Sequence, residues 1–332
     1  MIESLDRYPL NPDDVRLFSG SSNPVLAADI ARCLGVPLDA TTIKRFNNDN
    51  LYIQLGASVR SRHVFIFQSM TPPVNDHLME LLMMLDIARS ASAKEVHAVI
   101  PYFSFARSDK KDAPRISITA RLVADLLATA GATHVMTMML HSPQVHGFFS
   151  VPTDPLTSRP VFKQYFAEQN LRDAIVVAPD IGSARSAARF AKDMGGLPFA
   201  AGNKERISDT KVVIKGIVRE QLQGRTRALI YDDEIATGGS MIELSRLLIR
   251  EGIEDIQLVC THGLFTNNAL DRLCEVPEIS AIVTTDTIYQ PFASHYSKLH
   301  IVSVGRVFAD AIRRNYRGES INELFVYGPA EI

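Results

Sequence analysis

The segment Ala228-Leu-Ile-Tyr-Asp-Asp-Glu-Ile-Ala-Thr-Gly-Gly-Ser240 decides the fold predicted for this chain. Its apolar start, residues 228–231, predicts a buried strand, and two carboxylates and a Thr-Gly-Gly-Ser turn then open a helix. Glycines let backbone amides converge at the helix N-terminus, where negative charge is favoured. An ordinary turn with a serine cap is the alternative. The two acids favour a phosphate cradle, with Asp232 and Asp233 accepting hydrogen bonds from sugar hydroxyls.

Similar apolar runs alternate with segments of helical period along the chain. Runs at 15–18, 64–67, 96–100, 175–178, 228–231, 256–260 and 281–284 predict buried strands, and 76–90 predicts a helix. This alternation predicts an α/β fold with mostly parallel sheets. The order repeats once, because the runs that begin at Val15 and Val96 recur 160 residues later. We therefore expect two tandem domains, the first spanning 1–156 and completed by 312–332, and the second spanning 157–311.

Composition narrows the class of protein. Of 332 residues, 46% are hydrophobic and 22% are charged, which excludes a disordered chain and a small disulfide-stapled scaffold. The formal net charge of -2 gives no sequence-wide reason to bind nucleic acid or an anionic membrane. Three cysteines without a CxxC pair suit a reducing cytosol and argue against a zinc site. Without a basic, apolar N-terminal run or a long apolar segment, we expect a cytoplasmic protein.

The phosphate cradle resembles the phosphoribosyl-diphosphate motif of phosphoribosyltransferases and ribose-phosphate pyrophosphokinases. Motifs along the rest of the chain resemble the second family in order and spacing: Phe18-Ser-Gly-Ser-Ser-Asn-Pro24, Asn75-Asp-His-Leu-Met-Glu-Leu-Leu82, Ile100-Pro-Tyr-Phe-Ser-Phe-Ala-Arg-Ser-Asp-Lys-Lys-Asp112, His141-Ser-Pro-Gln-Val-His-Gly-Phe-Phe149, Thr261-His-Gly-Leu-Phe265, and Ala311-Ile-Arg-Arg314 with Gly318-Glu-Ser320. The resemblance implies two phosphoribosyltransferase-like domains and a homo-oligomer, hexamer or dimer. It also implies Mg²⁺-dependent transfer of the diphosphate of ATP to the 1-hydroxyl of ribose 5-phosphate, which yields 5-phosphoribosyl 1-diphosphate and AMP.

On the ATP side, the resemblance carries over to seven positions. One arginine and two lysines at 107–111 suit a polyphosphate, although most charged runs are solvated loops. Asn50 and Ser108 stand where the family has glutamate and glutamine, so their contacts must differ. The family holds adenine from a neighbouring subunit at 46–50. The implied ATP-binding residues are Phe46, Asn48, Asn50, Arg107, Ser108, Asp112 and His141.

For the metal and the sugar side, the resemblance implies four groups of residues. Lys204 and Arg206 are the catalytic cations of a loop that closes over the transferring group, a role that suits phosphoryl chemistry. Metal ligands are His141 and Asp180, and a helix cap is the alternative role of Asp180. The diphosphate loop is Asp180, Ile181, Gly182 and Ser183, and ribose 5-phosphate is held by Arg206, Asp232, Asp233, Ala236, Thr237, Gly238, Gly239 and Ser240.

Several family acids are absent from this chain. Met139, Ser150 and Ala236 stand where aspartate is usual, His146 replaces a glutamine and Ser183 a glycine. A thioether is a soft ligand, so Met139 cannot replace a carboxylate on Mg²⁺. Because the lid cations persist, we expect an active enzyme. The alternatives are a non-catalytic regulatory paralogue and a phosphoribosyltransferase, and the ATP-side motifs and tandem domains disfavour the latter.

A regulatory anion site is the last expectation. In the family, nucleotide diphosphate and phosphate share a site at a subunit interface. The positions of this chain that match it are Ser58, Arg60, Lys111, Ser320 and Phe325.

Overall fold

A computed structural model describes residues 10–202, 204–206, 212–214 and 219–325, and side chains of 203–220 lie outside this description. The chain divides into two compact units. The first contains the described residues up to Ser158, together with Thr287–Tyr289 and the segment from Ser303 onwards. The second contains Arg159–Asp286 and Gln290–Val302. None of the helices in the described ranges is long and apolar enough to cross a bilayer.

The first unit is built on a six-stranded parallel sheet of order β2-β1-β5-β6-β7-β8. The strands β5 and β6 are buried along almost their whole length, which explains their continuous apolar runs. The bounds of the six strands are β1 Val15–Ser19, β2 Leu38–Asp39, β5 His63–Phe67, β6 Glu95–Ile100, β7 His134–Met138 and β8 Thr153–Leu156.

Helices cover this sheet, and a hairpin accompanies it. Ile66 and Ala98 belong to the hydrophobic cluster beneath α2 and α3, whereas α1 packs against α9. Side chains alternate along a strand, so Phe65 and His97 lie on the other face, where their rings stack. The helices are α1 Pro24–Leu34, α2 Val74–Ser90, α3 Thr119–Ala130 and α9 Gly305–Arg317, and the antiparallel hairpin is β3 Thr41–Arg45 with β4 Leu51–Leu55.

The second unit has a six-stranded parallel sheet of order β10-β9-β13-β14-β15-β16. Its strands are β9 Ala174–Ala178, β10 Phe199–Ala201, β13 Arg227–Ile235, β14 Asp255–Gly263, β15 Ile279–Thr285 and β16 Leu299–Val302. Its helices are α4 Arg159–Phe166, α5 Ala184–Asp193, α6 Arg219–Leu222, α7 Gly239–Arg250 and α8 Ala269–Cys274. The main chain of β11 Lys204–Arg206 pairs antiparallel with β12 Val212–Ile214.

The two sheets have the same strand order, so the predicted fold class, two tandem α/β domains with mostly parallel sheets, is confirmed. Two strand predictions were too short. The run 228–231 belongs to β13, which continues to Ile235, and 256–260 belongs to β14, which continues to Gly263. Both strands carry polar residues at their carboxyl ends. A prediction based on apolar runs therefore ends each strand before its true last residue. The last residues of β13 are therefore part of the sheet and are held by its hydrogen bonds.

Candidate functional site

The carboxyl edge of the second sheet gathers the acids predicted to bind the sugar. Asp232 and Asp233 lie within β13, and Asp180 follows the adjacent strand β9. On the other side of β13, Asp232 is in register with Cys260 of β14. Carboxyl ends of adjacent parallel strands meet at one edge, which is where ligands bind in open α/β sheets. The structure thus brings together the three acids that the sequence separates by about fifty residues.

The loop after β13 leads into a helix N-terminus that suits an anion. Gly238 has a left-handed backbone, with φ 73°, and its carbonyl accepts the first intrahelical bond from Ile242 N at 3.0 Å. Residues that follow β14 also fix the loop. Thr266 N donates to the Ala236 carbonyl at 2.9 Å, and the Arg272 guanidinium donates to the Thr237 carbonyl. Within the described residues, no side chain caps α7. The amides at Gly239 and Ser240 have no intrahelical acceptor and carry the positive end of the helix dipole.

The acids at this edge repel one another. The Asp233 amide donates to Asp232 Oδ1 at 2.9 Å, which fixes the orientation of the Asp232 carboxyl group. Burial raises the pKa of Asp232 well above its ordinary value, and the negative charges of Asp233 and Asp180 raise it further. Hydroxyl donors or a cation would relieve this repulsion, because both favour the ionised form. The site therefore has the electrostatic character expected of a sugar- and metal-binding edge.

The predicted diphosphate loop is a tight turn closed by its own acid. Ser183 N donates to Asp180 Oδ1 at 3.1 Å, and Ser183 Oγ donates to the Asp180 carbonyl at 3.2 Å. Ile181 and Gly182 are exposed between them, and α5 begins directly afterwards. Asp180 therefore closes a turn and is not the helix cap that the alternative expected, because the N-cap residue of α5 is Ser183 and no side chain caps that helix in the described residues. The metal-ligand role of Asp180 stays a prediction.

The predicted lid residues fall where the structure gives only main chain. Lys204 and Arg206 are the first and last residues of β11, and their side chains lie outside the description. Their assignment to a catalytic loop stays a prediction.

In the first unit, predicted ATP-side residues follow two adjacent strands. Arg107 ends a short 3₁₀ helix, Ser104–Arg107, after β6, and His141 follows β7; both side chains are exposed. Asp112 is exposed on the loop that leads to α3. The Ser108 hydroxyl accepts from Thr119 N at 3.3 Å and so anchors the start of α3, and the ATP contact of Ser108 stays a prediction. A serine in place of the family's glutamine thus stabilises the loop.

The β3–β4 hairpin presents the predicted adenine-binding residues at its tip. Phe46 is 54% exposed, and its ring contacts Tyr52 edge-on with ring centroids 6.0 Å apart. Asn48 Oδ1 accepts from Asn50 N at 3.3 Å, and Arg45 bonds Asp49 and Asp76 at 2.7 and 2.8 Å. The tip is therefore a braced loop with an exposed aromatic face.

Met139 explains one departure from the family pattern. Its side chain is 4% exposed and lies beside Thr157, whose hydroxyl is 3.9 Å from Sδ. Its main chain has φ 43°, a left-handed conformation more often taken by asparagine or aspartate. The Met139 side chain therefore packs in the interior. An aspartate at this position would adopt the left-handed backbone with less strain than methionine. His146 Nε2 donates to the Thr153 carbonyl at 3.0 Å, and Ser150 is exposed.

Glu80 lies in the motif at 75–82, and no functional role is predicted for it from the sequence. Glu80 is 5% exposed, and its carboxylate accepts from Ser21 N and from Gln68 Nε2, at 3.1 and 2.7 Å. Ser22 N also donates to Gln68 Oε1 at 3.1 Å. This buried network fixes the Ser-Gly turn after β1. A glutamate on the buried side of a helix was the available signal.

The five residues of the expected regulatory site all belong to the first unit. Arg60, Lys111 and Ser320 are exposed, and across the described residues no hydrogen bond or ion pair joins the five positions. Ser58 accepts from Arg16 Nε through its carbonyl at 3.3 Å, and Phe325 bridges to Leu156. The site stays a prediction.

Two sheets of one topology, with a strand–loop–helix cradle after an acidic strand, define a phosphoribosyltransferase-like α/β protein. Residues 15–131 match the N-terminal domain of ribose phosphate pyrophosphokinase, and 210–326 match the phosphoribosyl synthetase-associated domain. A Streptomyces coelicolor protein is 49% identical over 317 residues, 96% of this chain and 99% of that relative. Ribose-phosphate pyrophosphokinase of Deinococcus radiodurans is 43% identical over 315 residues, 93% of this chain and 97% of that enzyme. This chain belongs to the ribose-phosphate pyrophosphokinase family, as its motifs predicted.

A solved structure agrees with this assignment. Phosphoribosylpyrophosphate synthetase from Mycobacterium smegmatis superposes with a TM-score of 0.84 at 33% identity. The match covers 92% of this chain and 99% of that chain. The fold of the family therefore extends over nearly the whole sequence.

The raised pKa of Asp232 predicts that this residue destabilises the ligand-free protein. A carboxyl group whose pKa is higher in the folded state stabilises the fold while protonated. That contribution is lost as the pH rises from the ordinary aspartate pKa of 3.8 through the raised one. Asparagine cannot ionise, so Asp232→Asn should gain stability relative to the parent between pH 4 and pH 7. Urea unfolding at both pH values measures this. The exposed Asp173 of the same unit supplies the control Asp173→Asn, and an equal gain there would refute the prediction.

Two neighbouring glycines give a matched test of the cradle. A Cβ at Gly238 would require a left-handed backbone and would lie 3.3 Å from Leu273. Gly238→Ala should therefore lower the free energy of unfolding by about 1–2 kcal/mol. At Gly239 the backbone is helical and a Cβ would have only Thr237 Oγ1 near, at 3.9 Å. Gly239→Ala should leave stability unchanged or slightly raised. Equal losses in chemical denaturation would contradict the backbone geometry assigned to the cradle.

Proposed function

We propose that this protein transfers the diphosphate group of ATP to the 1-hydroxyl of ribose 5-phosphate, producing 5-phosphoribosyl 1-diphosphate and AMP. The observation that carries the proposal is the acidic edge of the second unit, where Asp232 and Asp233 lie on the strand that leads through a short loop into the uncapped N-terminus of α7. One end of this site suits a phosphate and the other suits sugar hydroxyls. Named relatives with this activity align with more than nine-tenths of the chain, which supports the same chemistry here.

The reaction needs positioning and charge stabilisation more than covalent help. The 1-hydroxyl oxygen attacks the β-phosphorus of ATP, and the bond from that phosphorus to the oxygen shared with the α-phosphate breaks. AMP leaves with the bridging oxygen, and the hydroxyl proton passes to solvent. Charge develops on the phosphoryl oxygens during this transfer, so nearby cations lower the barrier.

Each part of the second unit has one task in this proposal. The amides at the start of α7 and the hydroxyls of Thr237 and Ser240 hold the 5-phosphate. Asp232 and Asp233 accept hydrogen bonds from the ribose hydroxyls, which fixes the ring and directs its 1-hydroxyl outward from the edge. The turn at Asp180–Ser183 binds the transferred diphosphate through the amides of its two exposed residues, Ile181 and Gly182. Arg206 and Lys204 close over that group.

Mg²⁺ fits the donors at this edge. Asp180 offers carboxylate oxygen, the ligand type that Mg²⁺ prefers, and the surplus negative charge that raises the Asp232 pKa favours a cation beside it. Mg²⁺ would neutralise polyphosphate charge and orient its oxygens. On the first unit, exposed His141 and Arg107 are the residues that we assign to ATP.

We further propose a homo-oligomer, hexamer or dimer. The exposed Phe46 ring at the tip of a braced hairpin supports this, because a ring presented outward can stack on an adenine held at a neighbouring subunit. The five-residue regulatory anion site would form in the same assembly.

Formation of AMP by the purified chain tests the function. With ATP, ribose 5-phosphate and Mg²⁺, we expect AMP and 5-phosphoribosyl 1-diphosphate in equal amounts, and no AMP when the sugar phosphate is omitted. A folded protein that binds both substrates and forms no AMP would instead be the non-catalytic paralogue.

The lid assignment predicts a separation of rate from affinity. Lys204→Ala and Arg206→Ala should lower kcat by about 10²–10³-fold, because these cations act on charge that develops in the transition state. Equilibrium binding of ATP should change little. The exposed Lys163 on α4 gives the control Lys163→Ala, which should keep full activity. If ATP affinity and turnover fall together, the two cations bind ATP in the ground state, and the lid assignment is wrong.

A further inference from the structure

A cluster of histidines lies at the amino edge of the first unit's sheet, the edge opposite Arg107 and His141. His63 and Glu95 are the first residues of β5 and β6 and are paired in register. His97 is two residues further along β6 and is paired with His134 of β7. Because alternate residues share a face, these side chains lie on one side of the sheet, and the proposed reaction uses none of them.

The donor atoms of three of these residues converge. His63 Nδ1 is 3.1 Å from Glu95 Oε2, and His97 Nε2 is 3.3 Å from the same oxygen. All three atoms lie within 4.8 Å of one another. In a tetrahedral zinc site with bonds of about 2.0–2.2 Å, neighbouring donors are separated by about 3.3–3.6 Å. The two distances to Glu95 Oε2 are thus close to the spacing of such a site, and the two histidine nitrogens lie within 4.8 Å of each other.

The hydrogen bonds behind His97 set its tautomer. His134 Nε2 is 2.9 Å from Asp154 Oδ2, and a carboxylate accepts, so His134 carries its proton on Nε2. His134 Nδ1 then accepts from His97 Nδ1, 3.2 Å away. The remaining His97 nitrogen, Nε2, faces Glu95 with a lone pair.

This nitrogen is buried beside a carboxylate oxygen. The His97 side chain is 2% exposed, and its Nε2 lies 3.3 Å from Glu95 Oε2, a longer and weaker contact than the hydrogen bond that His63 makes to the same oxygen. A lone pair and a carboxylate oxygen that face each other at 3.3 Å without a shared proton form a site for a cation.

We propose that His63, Glu95 and His97 bind a divalent cation of the zinc class, with His134 and Asp154 as positioning residues. Two imidazoles and one carboxylate suit Zn²⁺ or Co²⁺ and disfavour Mg²⁺, which prefers oxygen donors. A carboxylate–histidine relay behind a ligating imidazole is the arrangement that orients metal ligands.

An open pocket adjoins one of the three proposed ligands. His63 lines an open pocket of about 570 Å³, together with Asp14, Lys94 and Tyr316. Lys94 Nζ is 2.9 Å from His63 Nε2, so the metal-free ring carries its proton on Nδ1 and donates it to Glu95. Binding transfers this proton to Nε2 or to water and displaces the ammonium of Lys94, which is exposed and able to turn outward.

The metal would also fix the C-terminal helix. The Tyr316 ring of α9 packs edge-on against His63, with centroids 5.2 Å apart, and its hydroxyl donates to Asp14 Oδ2 at 2.8 Å. A ligated His63 loses its rotational freedom, so the face that Tyr316 contacts becomes rigid. Metal binding should therefore raise the melting temperature.

Co²⁺ titration tests this proposal, with excess Mg²⁺ present to occupy oxygen-ligand sites. The parent protein should bind one equivalent with the visible d–d absorption of a low-symmetry site, and Zn²⁺ should abolish that band. Glu95→Gln and His63→Gln should lose it while retaining the parent circular dichroism spectrum. The exposed His295 of the second unit gives the control His295→Gln, which should keep the band.

The positioning role of Asp154 predicts a separate effect on Co²⁺ affinity. Asp154→Asn should retain the shape of the Co²⁺ band and weaken the affinity by about 10–100-fold, because the ligands remain and only their orientation is released. Absence of stoichiometric binding by the parent would overturn the proposal. So would binding that survives unchanged in both Glu95→Gln and His63→Gln.

Discussion

Repulsion among Asp180, Asp232 and Asp233 is the constraint around which the second unit is arranged. Parallel strands bring these carboxylates to one edge, where burial and mutual repulsion raise the pKa of Asp232. Such an edge persists because the rest of the unit is well packed. Ile230 and Tyr231 of β13 are fully buried, and Tyr231 stacks on Phe190 with centroids 4.4 Å apart. The packed core thus maintains an acidic site that the ligand relieves.

The two units share a strand order and differ in the charge at their carboxyl edges. The first unit presents the cations Arg107 and Lys111 and the imidazole of His141 there. The second presents acids and the uncapped N-terminus of α7. A repeated fold has therefore acquired two chemistries through its loops, which is how α/β sheets usually diversify. Polyphosphate recognition suits the first set of groups, and sugar phosphate recognition suits the second.

Much of this organisation could be predicted from sequence. Apolar runs located the central strands, and the Thr-Gly-Gly-Ser turn located the cradle, because both signals are local. Strand ends were missed where polar side chains continue the sheet, as at Glu234 in β13. The left-handed backbone of Met139 could not be predicted either, because an apolar residue after a strand gives no signal of that conformation.

The histidine cluster shows a different limit of sequence reasoning. Its members are spread from His63 to Asp154 and match no metal-binding spacing, and the cysteine count argued against zinc. Only the register of β5, β6 and β7 places His63, Glu95 and His97 together. Local sequence patterns therefore predicted the phosphate cradle, which is built from one loop. They missed the histidine cluster, because strand pairing alone brings its residues together.

Titration of the Asp232 carboxyl group by ¹³C NMR, assigned with the help of Asp232→Asn, tests the central claim most directly. In the free protein the pKa should lie above the ordinary aspartate range, because burial and neighbouring acids disfavour the charge. Saturating ribose 5-phosphate with Mg²⁺ should lower that pKa, since sugar hydroxyls and the cation stabilise the carboxylate. An unshifted pKa in the free protein, or the same titration with and without ribose 5-phosphate, would contradict the account.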